Sequence, residues 1–513
     1  MTKHAPPSPT RAEIELKLLL PGAQPDQIEA LLAQHPLLAT QAPQRRWLWN
    51  RYFDTHDLDL QRQRAALRVR RSSAQADTTA SDSWVQTLKT AGQSQGGLSQ
   101  RGEWNTPVAD GHLDTVALQA LAAWNALDAD GAWLAQLQPC FETRCRRSTW
   151  HVTHSDGSVV EVALDVGDIV AGEHNMPMLE LELELLSGQP GALLDLAQAL
   201  AQQVAVLPCD VSKAERGYAL AEGSVYAPVR ARTVTLGKKW GPQRAAAQVL
   251  GEVLEQFTRN LAALCHADHP ELVHQARVAW RRWRSIERLL RPWLAHTVDR
   301  TPLRPLLQAL GALRDLDVAG TETLPLWATA FANGHPRQAR ALQRAQTALA
   351  QASQQRRAVV RQLLATPNIG LALLGMARWL HDMGIQPANA SHPAPRDWAH
   401  ARVAKLRRRL RTALRAVDKA NAQASAAVAP TELAEMAHEA RLLAKRTRYN
   451  LEAFSNLLPP KITRRWGLQA KTWQTRIGQS RDLVRAIELL HELQVAPELV
   501  AFLRGVAAGQ ATP

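Results

Sequence analysis

Two stretches in the first half of the chain alternate charged with apolar residues, and they constrain the fold most strongly. Residues 13–17 read Glu-Ile-Glu-Leu-Lys, and residues 178–186 read Met-Leu-Glu-Leu-Glu-Leu-Glu-Leu-Leu. Because side chains alternate between the two faces of a β-strand, this period of two predicts strands that carry all their charges on one face. Such a face either lies in solvent, as on a charged edge strand that resists aggregation, or points into a closed sheet.

The charged face of residues 13–17 has a spacing that suits metal and anion binding. Neighbouring side chains on one face of a strand lie roughly 6.6 Å apart, twice the rise per residue. At that spacing Glu13 and Glu15 can share hard divalent cations, and Lys17 can meet an anion that those cations hold. The five residues alone do not decide between this site and a solvated edge strand.

Similar alternation predicts that most of the first half forms β-strands. The predicted strands are residues 11–20, 66–71, 84–90, 149–153, 159–165 and 178–186, with helices at 25–35 and 192–204 and a hairpin loop at 72–83. Many antiparallel strands with polar inward faces favour a closed barrel over a sandwich.

Charged residues share faces on several of these strands. The sets that share a face are Arg68 with Arg70, Thr87 with Lys89, Arg101 with Glu103, Thr143 with Arg147, Glu161 with Asp165, and Glu180 with Glu182 and Glu184. If these faces point outward, they form a solvated surface. If they point inward, the lumen has one acidic wall and several basic ones, which is the composition needed to hold metal ions and a polyphosphate.

The charge of the chain is distributed unevenly. With 513 residues the chain is too long for a single core, and residues 1–222 hold 18 basic and 27 acidic residues, a net charge of −9. The remaining residues hold 43 basic and 20 acidic residues, a net charge of +23. This asymmetry predicts domains with different roles, of which the basic one should bind a polyanion such as nucleic acid, polyphosphate or an anionic membrane surface.

The sequence lacks the signals of several other protein classes. The four cysteines form no CxxC pair and no Cys/His pattern, which disfavours structural zinc and a disulfide framework. No apolar run reaches about 18 residues, and the first residues lack the apolar core of a signal peptide. These observations predict a cytoplasmic protein without a membrane partner.

Beyond a basic, Gly- and Pro-punctuated linker at 223–240, the pattern becomes helical and contains a repeat. The predicted helices cover about 242–264, 270–291, 302–314, 338–364, 369–382, 396–418, 430–456 and 463–491. Residues 274–284 (HQARVAWRRWR) match residues 438–448 (HEARLLAKRTR), and residues 310–315 (LGALRD) match residues 477–482 (IGQSRD). Each copy is therefore predicted to be a helix pair or a small bundle.

Each copy of the repeat carries a basic stripe. Positions i, i+3, i+7 and i+10 fall within roughly an 80° arc of a helix. The stripes consist of His274, Arg277, Arg281 and Arg284, and of His438, Arg441, Lys445 and Arg448. One such stripe is usually a solvated face, but the repetition of the same order favours binding of a polyanion. The absence of a helix-turn-helix or RNP-like signature disfavours sequence-specific nucleic acid.

The motifs of the first half resemble the CYTH domain of the triphosphate tunnel metalloenzymes over about residues 10–220. They are Glu13-x-Glu15-x-Lys17, Tyr52-Phe53-Asp54-Thr55, Arg68-x-Arg70, Gln86-Thr87-Leu88-Lys89, Arg101-x-Glu103, Glu180-x-Glu182-x-Glu184 and Ser212-Lys213-x-x-Arg216-Gly217-Tyr218. The resemblance implies an eight-stranded antiparallel tunnel that binds a triphosphate and Mg²⁺ or Mn²⁺.

The resemblance also implies roles for individual residues. Glu13, Glu15 and Lys17 would be catalytic, and the residues on the metal and water side would be Glu13, Glu15, Asp165, Glu180, Glu182 and Glu184. Besides Lys17, the phosphate side would comprise Arg68, Arg70, Lys89, Arg147 and Lys213. The register of the glutamate pair within 180–184 is open by two residues, and so is the choice of the inward arginine among Arg144, Arg146 and Arg147.

The second half resembles the CHAD domain over about residues 240–495, on the HxxRxxxRRxR pattern and its second copy. This resemblance implies two four-helix bundles related by a pseudo-two-fold axis, with a basic cavity that binds inorganic polyphosphate. The eight stripe residues would then contact polyphosphate. Because the repeat supplies no nucleophile and no metal cluster, we interpret this half as a binding module.

These observations predict a multi-domain protein with an N-terminal closed antiparallel β-barrel followed by an all-α domain of two pseudo-symmetric four-helix bundles. The expected domains are a tunnel domain at 1–222, a linker at 223–240 and a helical polyphosphate-binding domain at 241–513. The expected reaction is metal-dependent hydrolysis of inorganic tripolyphosphate to pyrophosphate and phosphate. The alternatives are a class IV type adenylate cyclase, a thiamine or nucleoside triphosphatase, and a non-catalytic polyphosphate-binding adaptor.

Overall fold

The computed structural model of the protein describes residues 12–75, 83–237, 240–294, 296–386, 394–422, 430–476 and 479–511. The chain divides into two compact units. One comprises Met1–Ala227, Leu261–Ala267 and Leu364–Arg378, and the other comprises Pro228–Asn260, Asp268–Leu363 and Trp379–Pro513. Part of the predicted loop at 72–83 and residues 477–478 of the repeat lie outside the described residues.

The first unit is built on antiparallel strands. The strands are β1 (Ala12–Leu19), β2 (Gln44–Asp54), β3 (Ala66–Ser73), β4 (Ser83–Lys89), β5 (Gln93–Gln95), β6 (Leu98–Val108), β7 (Gln138–Thr153), β8 (Val159–Ala171), β9 (His174–Ser187) and β10 (Leu207–Pro208). The helices between them are α1 (Pro25–Gln34), α2 (Asp59–Arg62), α3 (Thr115–Gln119), α4 (Ala122–Leu127), α5 (Gly191–Leu200) and α6 (Lys213–Ala221).

Eight of these strands close into a barrel. Their hydrogen-bonded order is β1-β9-β8-β7-β2-β3-β4-β6, and β6 pairs back onto β1, so the ring has no open edge. The short strands β5 and β10 pair with β6 and β1. The prediction of a closed, eight-stranded antiparallel barrel is therefore confirmed.

The period of two places the charges inside the barrel and the leucines outside. Glu13, Glu15 and Lys17 of β1 line the lumen, whereas Leu16 and Leu18 of the same strand are completely buried on the other face. Helix α5 packs on β1 and β9 and covers leucines of this outer face. The charged faces thus point into the closed sheet, which is the inward alternative of the sequence analysis.

Asp54, which ends β2, organises the segment that follows. Its buried carboxylate accepts hydrogen bonds at 2.8–3.0 Å from the backbone N–H groups of Thr55, Leu60 and Gln61. The hydroxyl of Tyr218 donates a fourth hydrogen bond at 2.7 Å. Two of the CYTH motifs therefore meet here to stabilise the fold, because a buried carboxylate requires such partners.

The alternation of charged and apolar residues does not predict β2, and it predicts only the last residues of β7. In β2, Trp47 and Trp49 lie on one face while Leu48 and Tyr52 lie buried on the other. Large apolar residues on both faces remove the period of two.

The second half of the chain is helical, and its segments Leu261–Ala267 and Leu364–Arg378 belong to the first unit. From residue 242 onward, the helices are α7 (Pro242–Leu264), α8 (Pro270–Leu290), α9 (Arg304–Val318), α10 (Leu324–Ala332), α11 (Pro336–Leu364), α12 (Pro367–Ile385), α13 (Pro395–Ala422), α14 (Pro430–Ala453), α15 (Pro460–Arg476), α16 (Gln479–Glu492) and α17 (Pro497–Ala511). The predicted all-α domain is confirmed, and α15 and α16 cover the described part of the helix predicted at 463–491.

Corresponding helices of the two repeat copies pack on each other. The motif at 274–284 lies in α8 and its second copy in α14, and these two helices are in contact. Likewise α9, with the motif at 310–315, contacts α16, which carries the end of the second copy. Contact between corresponding helices of the two copies is the arrangement that a two-fold axis produces.

Within the described residues, no single helix combines the length and apolar character that crossing a membrane requires. The pair Pro336–Leu364 and Pro367–Ile385 meets these criteria jointly, with a bend of 64° between its two helices.

Candidate functional site

Strand register brings the charged residues of the barrel together. On β1 and β9, Lys17 lies opposite Glu182, and on β7 and β8, Arg147 lies opposite Asp165. Helix α6 begins at Lys213, whose side chain also reaches the lumen, and the hydroxyl of Ser212 accepts a hydrogen bond from the N–H of Glu215 at the start of this helix. The barrel and the first turn of α6 therefore form one polar site.

One wall of the lumen is acidic. Oxygen atoms of Asp165, Glu180 and Glu182 lie within 4.8 Å of one another. The guanidinium group of Arg147 donates two hydrogen bonds to Asp165, at 2.7 and 2.6 Å, and one to Glu182, at 2.6 Å. The ammonium group of Lys213 contacts all three carboxylates. Although burial opposes ionisation, Arg147 and Lys213 lower the pKa of Asp165 to about 2, so this carboxyl is ionised at neutral pH.

This acidic wall fits a hard divalent cation. Mg²⁺ prefers oxygen ligands at about 2.0–2.1 Å, which places ligand oxygens on opposite sides of the ion about 4.2 Å apart. The three carboxylates meet this demand in chemistry and closely in spacing. The three carboxylates already stabilise one positive charge, that of the Lys213 ammonium group. This group would have to move aside for a metal ion.

A second ion-pair network surrounds Glu13, near the start of β1. Glu13 accepts hydrogen bonds from Lys89 at 2.7 Å and from Arg101 at 2.8 Å, and Arg101 also donates to Glu15 at 2.6 Å. Lys89 additionally pairs with Glu103 at 2.8 Å. Burial opposes ionisation of Glu13, but Lys89 and Arg101 hold its pKa below the usual value.

Two arginines of β3, Arg68 and Arg70, face the lumen without a direct ion pair to a described carboxylate. Among the described residues, no carboxylate lies within ion-pair distance of Arg68 or Arg70. Arg70 donates a hydrogen bond at 2.6 Å to the amide oxygen of Asn50, and the Nε of Arg68 has no partner. Burial, Arg68 and Arg147 lower the pKa of Arg70 to about 10, so an anion at this point would be stabilised.

Glu184 lies in the same lumen but in a different environment from Glu182. It is outside the group of three clustered carboxylates, and it faces Glu13, Lys89 and Glu103. Burial and the charge of Glu13 raise the pKa of Glu184 to about 7. The three glutamates of β9 therefore divide, with Glu180 and Glu182 at the acidic wall and Glu184 near the second network.

The structure separates the three neighbouring arginines of β7. Arg147 points into the lumen, whereas Arg146 pairs with Glu29 at 2.7 Å and Arg144 pairs with Glu142 at 2.8 Å outside it. Parity explains the difference, because residues 144 and 146 share the face opposite to residue 147.

Three lumen residues are absent from the set of site residues that the sequence predicts. Arg101 and Glu103 do not pair with each other but with residues of β1 and β4, and both line the cavity. Their alternate spacing was a usable signal. Arg216 lies one helical turn after Lys213 and contacts Glu180. Its place in the motif Ser212-Lys213-x-x-Arg216-Gly217-Tyr218, three residues after Lys213 on a helix, is the signal that could have placed it beside the site.

The two basic stripes of the helical unit converge in part. His274 lies near Arg281 and near Arg314 and Glu322, and burial and Arg314 lower the pKa of His274. Asp482, in the second copy, lies near Arg441 and Lys445 and also near Arg314 and Glu322. Arg314, which donates a hydrogen bond to Glu322 at 2.7 Å, thus neighbours both His274 of the first stripe and Asp482 of the second copy.

A glycine of the repeat makes room for one stripe residue. A Cβ atom at Gly311 would lie 2.8 Å from a guanidinium nitrogen of Arg277, which is closer than side chains allow. The glycine of the motif at 310–315 therefore lets α9 approach the first stripe.

Not all stripe residues join this centre. Arg284 lies near Arg446, where it forms a basic group with Arg288 and Arg409. Arg448 lies over the ring of Tyr449 at 5.0 Å and 3.7 Å from a carboxylate oxygen of Glu452. His438 lies exposed at the start of the second stripe.

The sequence and the structure are similar to those of several known proteins. Over 209 residues, which make up 40% of this chain and 54% of the relative, the chain is 34% identical to the inorganic triphosphatase of Haemophilus influenzae. The match thus spans about half the length of that relative.

Among solved structures, the CHAD domain of Ricinus communis is 27% identical with a TM-score of 0.45 and covers 55% of this chain and 91% of that one. A Hippeastrum protein, described as an adenylyl cyclase with a dominant triphosphatase activity, is 20% identical with a TM-score of 0.31 and covers 42% of this chain and 97% of that one.

Two family models match the chain in sequence. The CYTH domain model matches residues 11–218, which contain the whole barrel and the first turn of α6. The CHAD domain model matches residues 248–491, which contain both basic stripes. The chain therefore belongs to the proteins that combine an N-terminal CYTH domain with a C-terminal CHAD domain.

Proposed function

We propose that the barrel hydrolyses inorganic tripolyphosphate to pyrophosphate and phosphate with the help of Mg²⁺ or Mn²⁺. The observation that carries this proposal is the arrangement of three clustered carboxylates in the same lumen as two arginines, buried Arg68 and half-buried Arg70, which have no carboxylate within ion-pair distance among the described residues. Such a lumen offers a place for a divalent cation and a place for phosphoryl oxygens within one closed sheet. The similarity to an inorganic triphosphatase supports the same activity.

Asp165, Glu180 and Glu182 would hold the metal ion. Bound there, a divalent cation would neutralise charge that develops on the reacting phosphate and would help to activate a water molecule. Arg68 and Arg70 would bind phosphoryl oxygens by charge-assisted hydrogen bonds, which arginine forms with good geometry. Glu13 and Glu15, whose pKa values are held low by basic neighbours, would stay ionised and orient the attacking water.

Substrate binding requires an exchange of ion pairs. The lumen has a cavity volume of only about 80 Å³, because its cations and carboxylates pair with each other. A triphosphate would replace the carboxylates as the partner of Lys17, Lys89 and Arg147. This exchange keeps buried charges paired throughout, which is the condition for burying them at moderate cost.

The lumen gives little support to a nucleotide substrate. Among the described residues that line it, Tyr52 is the aromatic one, and its ring is stacked on Phe141 at 4.5 Å between centroids. A cyclase or a nucleoside triphosphatase needs a surface for the base, and an apolar surface of that kind does not line this part of the barrel.

For the helical domain, we propose that it binds long-chain polyphosphate between its two stripes. The support is that His274 of the first stripe lies near Arg314, and that Asp482, which lies near Arg441 and Lys445 of the second stripe, also lies near Arg314, in a domain whose net charge is strongly positive. A sequence-specific nucleic acid and a membrane are not proposed as partners, and the cytoplasm is the proposed location. A non-catalytic adaptor remains the competing proposal for the whole chain.

A substrate panel separates these candidates. We expect the full chain with Mg²⁺ or Mn²⁺ to release phosphate from tripolyphosphate at least about tenfold faster than from ATP, pyrophosphate or long-chain polyphosphate, a difference of about 1.4 kcal/mol in activation free energy. The measurement is initial phosphate release, with chromatography of the ATP reaction for cyclic AMP. Efficient formation of cyclic AMP would show a cyclase instead, and no turnover of any compound would favour the adaptor.

A further inference from the structure

A cavity in the helical unit has no role in the functions proposed so far. It has a volume of about 360 Å³ and lies between α13, α14 and α15. Its lining includes three arginines and three apolar side chains, namely Arg407, Arg411, Arg465, Leu410, Leu414 and Trp466. This volume falls within the range of roughly 300–1,000 Å³ that small-molecule sites occupy.

The two copies of the internal repeat differ at one residue that lines the cavity. Thr447 of α14 lines the cavity, and the corresponding residue of α8 is Trp283. The Trp283 side chain is 1% exposed and packs against Trp379, with ring centroids 6.1 Å apart. The Thr447 hydroxyl instead donates a hydrogen bond at 2.8 Å to the carbonyl group of Leu443 in its own helix. The second copy therefore lacks the bulky side chain at this position.

The arginines of the cavity repel one another. Burial and the charges of Arg411 and Arg465 lower the pKa of Arg407. The Arg407 guanidinium group lies 4.5 Å from the centre of the Trp466 ring, and its Nε is buried without a hydrogen-bond partner. Among the described residues, no carboxylate lies within ion-pair distance of Arg407, Arg411 or Arg465. Arg407 is half-buried, whereas Arg411 and Arg465 are exposed to solvent. Three like charges that converge on one open cavity attract an anion there.

The cavity lies on the other side of α14 from the basic stripe. At about 100° per residue, Thr447 is rotated by about 180° from His438 and by about 200° from Lys445. A ligand in the cavity would therefore not be the polyanion that the stripes are proposed to bind.

We propose that this cavity binds a small organic phosphate of the nucleoside monophosphate class. The phosphate would be held by Arg407, Arg411 and Arg465, and the flat organic part would lie against Leu410, Leu414 and Trp466. An apolar ligand would make no use of the three guanidinium groups. A bare phosphate ion would leave the apolar side chains of the cavity in contact with water, whereas an organic group would cover them.

The test uses AMP and inorganic phosphate as probes for the full chain, with calorimetric titration at low salt. AMP should bind at least about tenfold more tightly than inorganic phosphate. The double variant Arg411→Gln/Arg465→Gln should lower the affinity for AMP about tenfold or more, because two charge-assisted hydrogen bonds are lost. The matched control is Arg408→Gln, which removes one charge from an exposed position of the same helix outside the cavity lining and should change the affinity less than about twofold.

A second variant fills the cavity. Thr447→Trp places in the second copy the residue that the first copy has at this position, and it should abolish AMP binding while tripolyphosphate hydrolysis stays unchanged. Equal AMP affinity of the double arginine variant and the natural protein would overturn the proposal, as would inorganic phosphate that binds as tightly as AMP. If Thr447→Trp does not fold, the arginine variant decides alone.

Discussion

Replacement of Glu182 by glutamine should lower kcat/KM for tripolyphosphate by roughly a hundredfold or more, since the loss of one preorganised charged group at a reaction centre has effects of this size. Glu182 belongs to the carboxylate cluster and lies 2.6 Å from Arg147 and 2.9 Å from Lys213. Glutamine has the same length and can still accept one hydrogen bond, but it is a poor ligand for a hard cation. The measurement is initial phosphate release at several metal concentrations, and weaker metal binding should appear as a higher half-saturating metal concentration.

The matched control for this variant is Glu142→Gln. Glu142 also pairs with arginines, Arg51 at 3.0 Å and Arg144 at 2.8 Å, but these pairs lie on the outside of the barrel. Exposed ion pairs contribute about 0–1 kcal/mol to stability, so this variant should keep its activity. Full activity of Glu182→Gln, or an equal loss in both variants, would refute the assignment of the acidic wall to the metal.

Charge reversal at one residue of each stripe should remove most polyphosphate binding. Arg281 lies near His274, and Lys445 lies near Asp482. Both His274 and Asp482 neighbour Arg314. In the double variant Arg281→Glu/Lys445→Glu, the affinity for long-chain polyphosphate should fall about a hundredfold or more at low salt. The slope of the logarithm of the binding constant against the logarithm of the salt concentration should become shallower by about one to two. Each phosphate contact contributes about 0.7–0.9 to this slope through the counterions that it releases, and the variant loses two contacts.

The control reverses the same number of charges elsewhere on the helical domain. Arg337 and Arg340 lie exposed in α11, and Arg337→Glu/Arg340→Glu changes the net charge by the same amount. This control should lose affinity only slightly through the general field of the domain. Both variants should retain tripolyphosphate hydrolysis, because the barrel contains its own lysines and arginines. Equal loss of polyphosphate binding in the two variants would show that the stripes are ordinary solvated faces.

Much of the barrel and of its lumen can be predicted from sequence, because a period of two in a strand fixes which residues share a face. Glu13, Glu15 and Lys17 share the lumen with Glu180, Glu182 and Glu184 for this reason. The choice of Arg147 over Arg144 and Arg146 needed the strand pairing, since alternation gives two faces without saying which is inside. β2 could not be predicted, because its aromatic residues occupy both faces.

The fine structure of the site depends on tertiary contacts that periodicity does not contain. Glu182 and Glu184 are equivalent in the sequence pattern, yet one lies among basic groups and the other faces Glu13 and Glu103. Helical spacing likewise groups Arg281 with Arg284, whereas the structure places Arg284 with Arg288 and Arg446. The cavity beside Thr447 depends on how α13 and α15 pack around a residue at which the two copies of the repeat differ.

The central claim is that the barrel hydrolyses tripolyphosphate with a divalent cation, and ³¹P NMR of the full chain with tripolyphosphate tests it most directly. The spectrum follows substrate and both products in one sample, first in excess chelator and then with Mg²⁺ or Mn²⁺ in excess over the chelator. The account predicts that tripolyphosphate persists in chelator and is converted to equal amounts of pyrophosphate and phosphate once the metal is present. Conversion at the same rate in chelator, or a persistent tripolyphosphate signal with either metal, would contradict it.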